Sequence, residues 1–577
     1  CRPEQRDARR RKAAAQATLT MIGHTDDETA DGLLQPRLVD KIVPSQNPRM
    51  ASMFLLVPCL LVVGWYGSIP SATSSAATNL LAVAAGHTAW PKVAYGVSLG
   101  GWLVMEINPS TKGKDAPLDL RPQWMYDQVE AKSELDFVLD LRREHGDAFA
   151  IQTMKNHWEG YYTEPMIDAA KALGVNAMRV PVGYWIMDKP VGGSSPLEYG
   201  ISPEGFVTGG LNHLRHMLAQ LARRGMGALV DVHAHPCNSA CVSDGQYCAT
   251  TLAFAPAGDG IGDIGNGGLG AIRDMARCGG GSYKTTRKPR TGEATWGDVG
   301  VNAVEKLAEW LAALPPSEQA AVRAFQLANE PALGTSTSTN DEINRFYSRA
   351  HAAARAHLPT TPLVMSFMGP SLTVTNFVKK LVEHDVRKGV GGALPIIVDH
   401  HYYLNWQLPD GCYAWDGSCQ MTWDQVHERA CMPATHPIIK GKERGSERPC
   451  VGDCSLLMYA AAGRPTIVGE WSLATNMDAR IDVSRPEVAA HLGRLYREQL
   501  EVFRRSPAVM GAFFWTLRMG SGWDPRPTEA HPHGQQVDGT SAWRSKPGYP
   551  FPVWSLLEMA ELGVATPLDA DYTGACA

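Results

Sequence analysis

Eight short apolar runs constrain what this chain can fold into more than any other feature. They are Val93–Leu103, Asn176–Val182, Gly227–His233, Phe325–Asn329, Leu363–Phe367, Ile396–Tyr403, Thr466–Trp471 and Gly511–Leu517. Each is nearly continuous in apolar character rather than alternating, as expected of a strand buried on both faces of a parallel sheet. Amphipathic stretches lie between them. Leu211, Leu214, Leu218 and Leu221 recur at helical spacing, and Gly225 stops that helix before the third run. Leu307, Trp310 and Leu311 stripe another, ahead of Pro315-Pro316. Asn340 is placed to cap a helix through Phe346 to His357, and Leu492, Leu495, Tyr496, Gln499 and Phe503 stripe one before the eighth run. Eight strands alternating with helices predict an α/β fold, a (β/α)8 TIM barrel, over residues 91–577. Long insertions near 234–297 and 405–462 follow strands and would crown its C-terminal face.

At 577 residues, 44% apolar and 20% charged, the chain is ordinary globular material. A net charge of -5 gives no electrostatic footprint for nucleic acid. Residues 1–49 form a polar tail, read as disordered or cytosolic. Residues 50–77 place Arg49 before an apolar run, Phe54 to Tyr66, followed by small residues. That layout reads as a cleaved signal peptide, a signal anchor, or a buried helix; residues 78–90 would be linker. The first two put the rest outside the cytosol, secreted or at the cell surface. Ten of the twelve cysteines fall after residue 236, most of them in two Gly- and polar-rich stretches, which suggests disulfides stapling those loops. No His pair follows Cys237 and Cys241 or Cys450 and Cys454 at finger spacing, so zinc is disfavoured there.

The polar residues that end the strands carry the chemistry, because barrel sites are built at the C-terminal ends. Glu106 follows the first strand and Arg179 lies in the second. His233 ends the third, Asn329-Glu330-Pro331 the fourth, Asp399-His400-His401-Tyr402-Tyr403 the sixth and Glu470 the seventh; Trp515 lies in the eighth. Two glutamates at the ends of strands four and seven converge on a barrel axis. Retaining glycoside hydrolysis needs two such carboxyls about 5–5.5 Å apart, one nucleophile and one acid/base. Pro331 would fix the aim of the Asn329-Glu330 pair, and Arg179 with a strand-six tyrosine would keep Glu470 ionised.

This ordered set resembles glycoside hydrolase family five, and within it the fungal-type exo-β-1,3-glucanases. The resemblance covers roughly 91–563 and rests on Gly96-Val97-Ser98-Leu99-Gly100-Gly101-Trp102, Met178-Arg179-Val180-Pro181, Asn329-Glu330-Pro331, Asp399-His400-His401-Tyr402-Tyr403, Gly469-Glu470-Trp471-Ser472 and Phe514-Trp515. It implies Glu330 as acid/base and Glu470 as nucleophile. It implies that Arg179, His401 and Tyr403 orient the nucleophile, and that Asn329 and His233 bind hydroxyls of the cleaved sugar. Glu106 would hold hydroxyls at the blind end of a pocket, Trp515 would lie under the sugar, and Trp406 would match an entrance aromatic. It further implies a β-glucan substrate, no cofactor, no metal, and a monomer that meets membrane only through an N-terminal anchor.

The chain departs from the pattern after strand three. Where the family runs His-Gly-Ala-Pro-Gly, this sequence has His233-Ala234-His235-Pro236-Cys237. The long loops leave the exo mode and linkage open. The run at 399–403 leaves His400 and Tyr402 competing with His401 and Tyr403 by one register step, which would swap faces. Alternatives are an endo-β-1,4-glucanase or mannanase, a β-glucan transglycosylase, and an inactive glucan-binding barrel. Another is a metal-dependent barrel hydrolase using His233, His235 and the Asp399-His400-His401 run.

Overall fold

The computed structural model describes residues 90, 93–105, 134–235, 296–330, 337–366, 372–404, 421–435, 464–475, 482–505, 508–519, 523–536 and 552–577. The chain divides into two units, 1–71 and 72–577, and every described residue lies in the second. The tail, signal-like segment and linker expected at 1–90 therefore lie outside the described residues, Trp90 excepted. No described helix is long and apolar enough to cross a membrane.

All eight expected strands form: β1 (Ala94–Ser98), β2 (Ala177–Gly183), β3 (Gly227–Ala234), β4 (Val322–Gln326), β5 (Leu363–Ser366), β6 (Ile396–Leu404), β7 (Thr466–Thr475) and β8 (Val509–Phe514). Each pairs in parallel with its sequence neighbours, and β8 closes on β1. β4 differs from expectation. It starts at Val322 and ends at Gln326, so Leu327 to Glu330 form its exit rather than its last rungs. At the end of that exit Glu330 has φ +42°, left-handed backbone outside the extended strand region.

The helices form where their stripes place them. They include α1 (Asp147–Gly160), α2 (Gly210–Arg223), α3 (Trp296–Ala312), α4 (Thr337–His357), α5 (Trp423–Thr435) and α6 (Pro486–Arg505). α2 carries the expected leucine face inward and stops before Gly225, whose φ of +68° a Cβ would resist. α4 starts at Thr337, so Asn340 is inside it and not its cap. One disulfide is seen among the described residues, Cys431–Cys576, which ties α5 to the C-terminal segment rather than stapling a loop to itself. Apart from Cys431, the cysteines of the two long insertions lie outside the described residues.

The barrel interior is layered. One buried apolar cluster takes a single residue from each strand: Ala94, Ala177, Leu229, Ala324, Val364, Ile397, Ile467 and Phe513. This is a plug, and it fixes parity, because residues two apart on a strand share a face. Two residues further along come Arg179, Asp231, Gln326, Ser366, Asp399, Gly469 and Trp515. The polar layer therefore sits directly on a dry floor, which strengthens every charge interaction within it.

Gly96 shows how tightly the plug closes. It lies opposite Phe513 in the β1–β8 register, and the Phe513 ring occupies the space a Cβ on Gly96 would need. Gly96→Ala should therefore destabilise the barrel by about 1–3 kcal/mol through overpacking. Chemical denaturation should show a lower midpoint at unchanged slope; a wild-type midpoint would mean that the ring has room to move.

Candidate active site

A buried guanidinium organises the polar layer. Arg179 is fully buried, and its Nη1 donates to Glu470 Oε1 at 2.6 Å. Its Nη2 donates to Asn329 Oδ1 at 2.6 Å and pairs with Asp231 Oδ2 at 2.9 Å. Its Nε donates to Gln326 Oε1 at 3.1 Å, and Gln326 Nε2 passes the link on to Asp399 Oδ2 at 2.9 Å. Burial works against the Arg179 charge, but Asp231, Glu470 and Asp399 outweigh it and hold the group well above its ordinary value.

His401 is the second cation. Nε2 meets Asp399 Oδ2 at 3.1 Å, while Nδ1 bonds to Glu330 Oε1 and lies 3.3 Å from Glu470 Oε2. Burial opposes its charge, yet Glu470, Asp399 and Glu330 together raise it well above the usual imidazole range. Asp399 is depressed in turn: burial pushes it up, and His401 and Arg179 pull it down further. Glu470 stands above its ordinary value. Burial is the largest cause and repulsion from Glu330 adds to it, against the pull of His401 and Arg179. Tyr403 Oη donates to Glu470 Oε2 at 2.7 Å, so both oxygens of that carboxylate have a fixed donor.

Register explains how Glu470 reaches the axis. Ile467 and Gly469 have inward parity, which would send Glu470 outward to the helices. The β6–β7 register slips between the His400–Val468 and His401–Glu470 pairs, so Gly469 is the extra residue of a bulge. The bulge turns Glu470 inward beside His401. Gly469 N donates to Asp399 Oδ1 at 2.7 Å, and the Asp399 carboxylate fills the space where a Cβ on residue 469 would stand. Only glycine allows that approach.

The open register at 399–403 is settled by the same parity. His401 and Tyr403 face the two glutamates, whereas Tyr402 packs edge-on against Phe503 of α6 and donates to Arg429 O. Carboxylate oxygens of Glu330 and Glu470 and a ring nitrogen of His401 all lie within 4.8 Å of one another. Such a trio has the spacing of a metal site. However, His401 in its cationic form donates from both ring nitrogens and has no lone pair for a metal. His235 does not join His233 in a chelating pair: its Nε2 turns to Leu327 O at 3.0 Å.

The remaining candidates divide. His233 Nδ1 bonds to Asp231 Oδ2 at 2.6 Å, and its ring stacks on Trp515 at 5.5 Å and 7°. Arg179 also lies over the Trp515 ring. Behind Trp515, Thr516 Oγ1 donates to Ser98 O and accepts from Gly100 N, so the β8 exit is fastened to β1. Glu106, Pro331 and Trp406 lie outside the described residues. Sequence reasoning did not single out Asp231 or Gln326 as site residues, nor Trp554, whose ring lies 5.3 Å from that of Tyr403, and it offered Asp399 only as part of the strand-six run and as a metal ligand. The available signal was polarity at inward parity within otherwise apolar strands.

Among known proteins, a glucan 1,3-β-glucosidase from Candida oleophila is 29% identical over 143 residues, 24% of this chain and 29% of that protein. The chain thus spans under a third of that relative. A protein named "Probable glucan 1,3-beta-glucosidase A" from Aspergillus terreus is 23% identical over 440 residues, 74% of this chain and 84% of that protein. A solved rutinosidase from Aspergillus niger aligns with 83% of this chain and 100% of its own, at 12% identity and a TM-score of 0.49, too distant to bear on function. A family model described as Cellulase (glycosyl hydrolase family 5) matches residues 143–490. That span covers more than half of the chain, strands β2 to β7 and both glutamates, and on that match the chain belongs to glycosyl hydrolase family 5.

Proposed function

We propose that this chain is a retaining hydrolase that releases glucose from the ends of β-1,3-glucan chains. The observation that carries the reading is the carboxyl pair. Glu330 and Glu470 oxygens lie within 4.8 Å, close enough for attack by one carboxylate, whereas an inverting pair stands about 6.5–9.5 Å apart to admit a water. Glu470, held on one oxygen by Arg179 and on the other by Tyr403, is the nucleophile. It attacks the anomeric carbon as Glu330 gives its proton to the departing glycosidic oxygen. Water then attacks the glucosyl-enzyme ester, Glu330 takes its proton, and Glu470 leaves. Two inversions give net retention. Asn329, fixed through its oxygen by Arg179, presents its amide nitrogen to a sugar hydroxyl. His233 and Trp515 form one wall around that sugar.

The choice of β-1,3-glucan is supported by the names of the relatives, and the chain-end mode by the resemblance at Glu106. The same residues serve transfer to a second sugar, so acceptor competition belongs in the assay. The N-terminal signal or anchor pattern supports action outside the cytosol.

Proton NMR of early products from a linear β-1,3-glucan should give free β-glucose alone. An oligosaccharide ladder would replace the exo reading with an endo one, and fresh α-anomer would end the retaining mechanism. Glu470→Gln and Glu330→Gln should each lower kcat on the glucan by roughly 10³-fold or more with the melting temperature kept. A near-normal rate in either would remove the role assigned to it.

The pH profile is set by Glu470. The nucleophile must be ionised, and its carboxyl lies above its ordinary 4.5, so activity is lost as pH falls through a limb above 4.5. His401→Gln removes a cation that lowers Glu470, so it should move that limb to higher pH. A limb that stayed in place or moved down would contradict the coupling.

A further inference from the structure

We propose that His235 is a positioning residue that sets the aim of Asn329 and Glu330 through the backbone of Leu327. This deepens the hydrolase reading and rests on it. His235 comes directly after the last residue of β3 and has 0% exposure. Its Nε2–H donates to the carbonyl of Leu327 at 3.0 Å. Leu327 N donates to Val364 O of β5 at 3.0 Å. The residue at the β4 exit is thus pinned on both sides, by a strand on its N–H and by an imidazole on its carbonyl.

The backbone just beyond Leu327 is the part of the exit that most needs such a pin. Two residues later Asn329 meets Arg179, and three residues later Glu330 adopts a left-handed φ of +42° with its carboxyl on His401. Such backbone persists only where its surroundings over-determine it. A loop free to relax at Leu327 would swing both side chains together.

The ring is itself held. Phe346 of α4 meets it edge-on, centroids 5.1 Å apart and planes at 83°. Burial lowers its pKa to about 4, so it is neutral wherever a family-5 hydrolase with ionised Glu470 works. With Nε2 protonated for the carbonyl, the lone pair is on Nδ1, and that atom is buried without a hydrogen-bond partner among the described residues. An apolar residue would remove that unpaired nitrogen but leave the buried Leu327 carbonyl without its donor, so the bond to Leu327 is what the histidine supplies.

The test uses the full chain carrying His235→Ala and His235→Gln, the glutamine retaining an N–H donor. The first readout is hydrogen exchange of a peptide spanning residues 325–330, with barrel peptides from β2 and β6 as internal reference. Faster exchange in His235→Ala confined to that peptide, restored toward wild type in His235→Gln, is expected. Unchanged exchange overturns the proposal whatever the activity. The second readout compares 2,4-dinitrophenyl and phenyl β-glucosides, with azide present to relieve the need for a base in the second step. A misaimed Glu330 should cost about 10- to 100-fold in kcat/KM on phenyl glucoside. On the dinitrophenyl glucoside, whose leaving group needs no proton, the loss should stay within roughly threefold. Equal losses on both, or no loss on either, defeat the positioning role. Should the alanine variant fail to fold, His235→Asn, too short to reach Leu327 O, takes its place in both readouts. A wild-type protein that cleaves no β-glucoside would defeat the hydrolase reading instead, and the exchange readout would still decide the pin.

Discussion

One buried guanidinium is the constraint on which the top of this barrel depends. Arg179 reaches Glu470, Asn329, Asp231 and Gln326 at once, and through Gln326 it reaches Asp399. Taking a charge out of water is costly, and leaving one partner of a buried pair unmatched costs about 3–5 kcal/mol. The layer is therefore assembled together or not at all. Strands β2, β3, β4, β6 and β7 must each deliver one side chain at the same height, and the apolar plug beneath sets that height.

Around this frame the charge is arranged in alternation. Two cations, Arg179 and His401, are interleaved with Asp231, Asp399 and Glu470, and His401 also bonds to Glu330. The result is a carboxylate with both oxygens oriented, beside a second carboxyl that has a different set of partners. Two identical side chains acquire different chemistry because one meets Arg179 and Tyr403 while the other arrives on a left-handed backbone turn. The bulge at Gly469 is as necessary as the charges, since without it Glu470 would point to the helices.

Much of this was legible in the chain. Near-continuous apolar runs gave all eight strands, because a strand covered on both faces has no polar alternation to confuse the reading. Glu330, Glu470, Arg179, His401 and Tyr403 stood out as polar groups at the ends of such runs, and they are brought together. The end of β4 was misplaced because Leu327-Ala328 is as apolar as a strand, and apolar character does not show where pairing with β5 stops. Asp231 and Gln326 were passed over because a lone polar residue within an apolar run looks like noise until parity places it inward. The partner of Cys431 could not be read because spacing along the chain carries no information about a contact 145 residues away.

The sequence by itself determined the strand count, the helices between, the polar strand ends and the glycine at 469, all of which are local properties of neighbouring residues. Tertiary structure alone decided the choice of His401 over His400, the inward turn of Glu470, the span between the two glutamates and the hold of His235 on Leu327. Each of these depends on register between strands, and register is fixed only when eight faces close on one plug and a buried charge admits one arrangement of its partners.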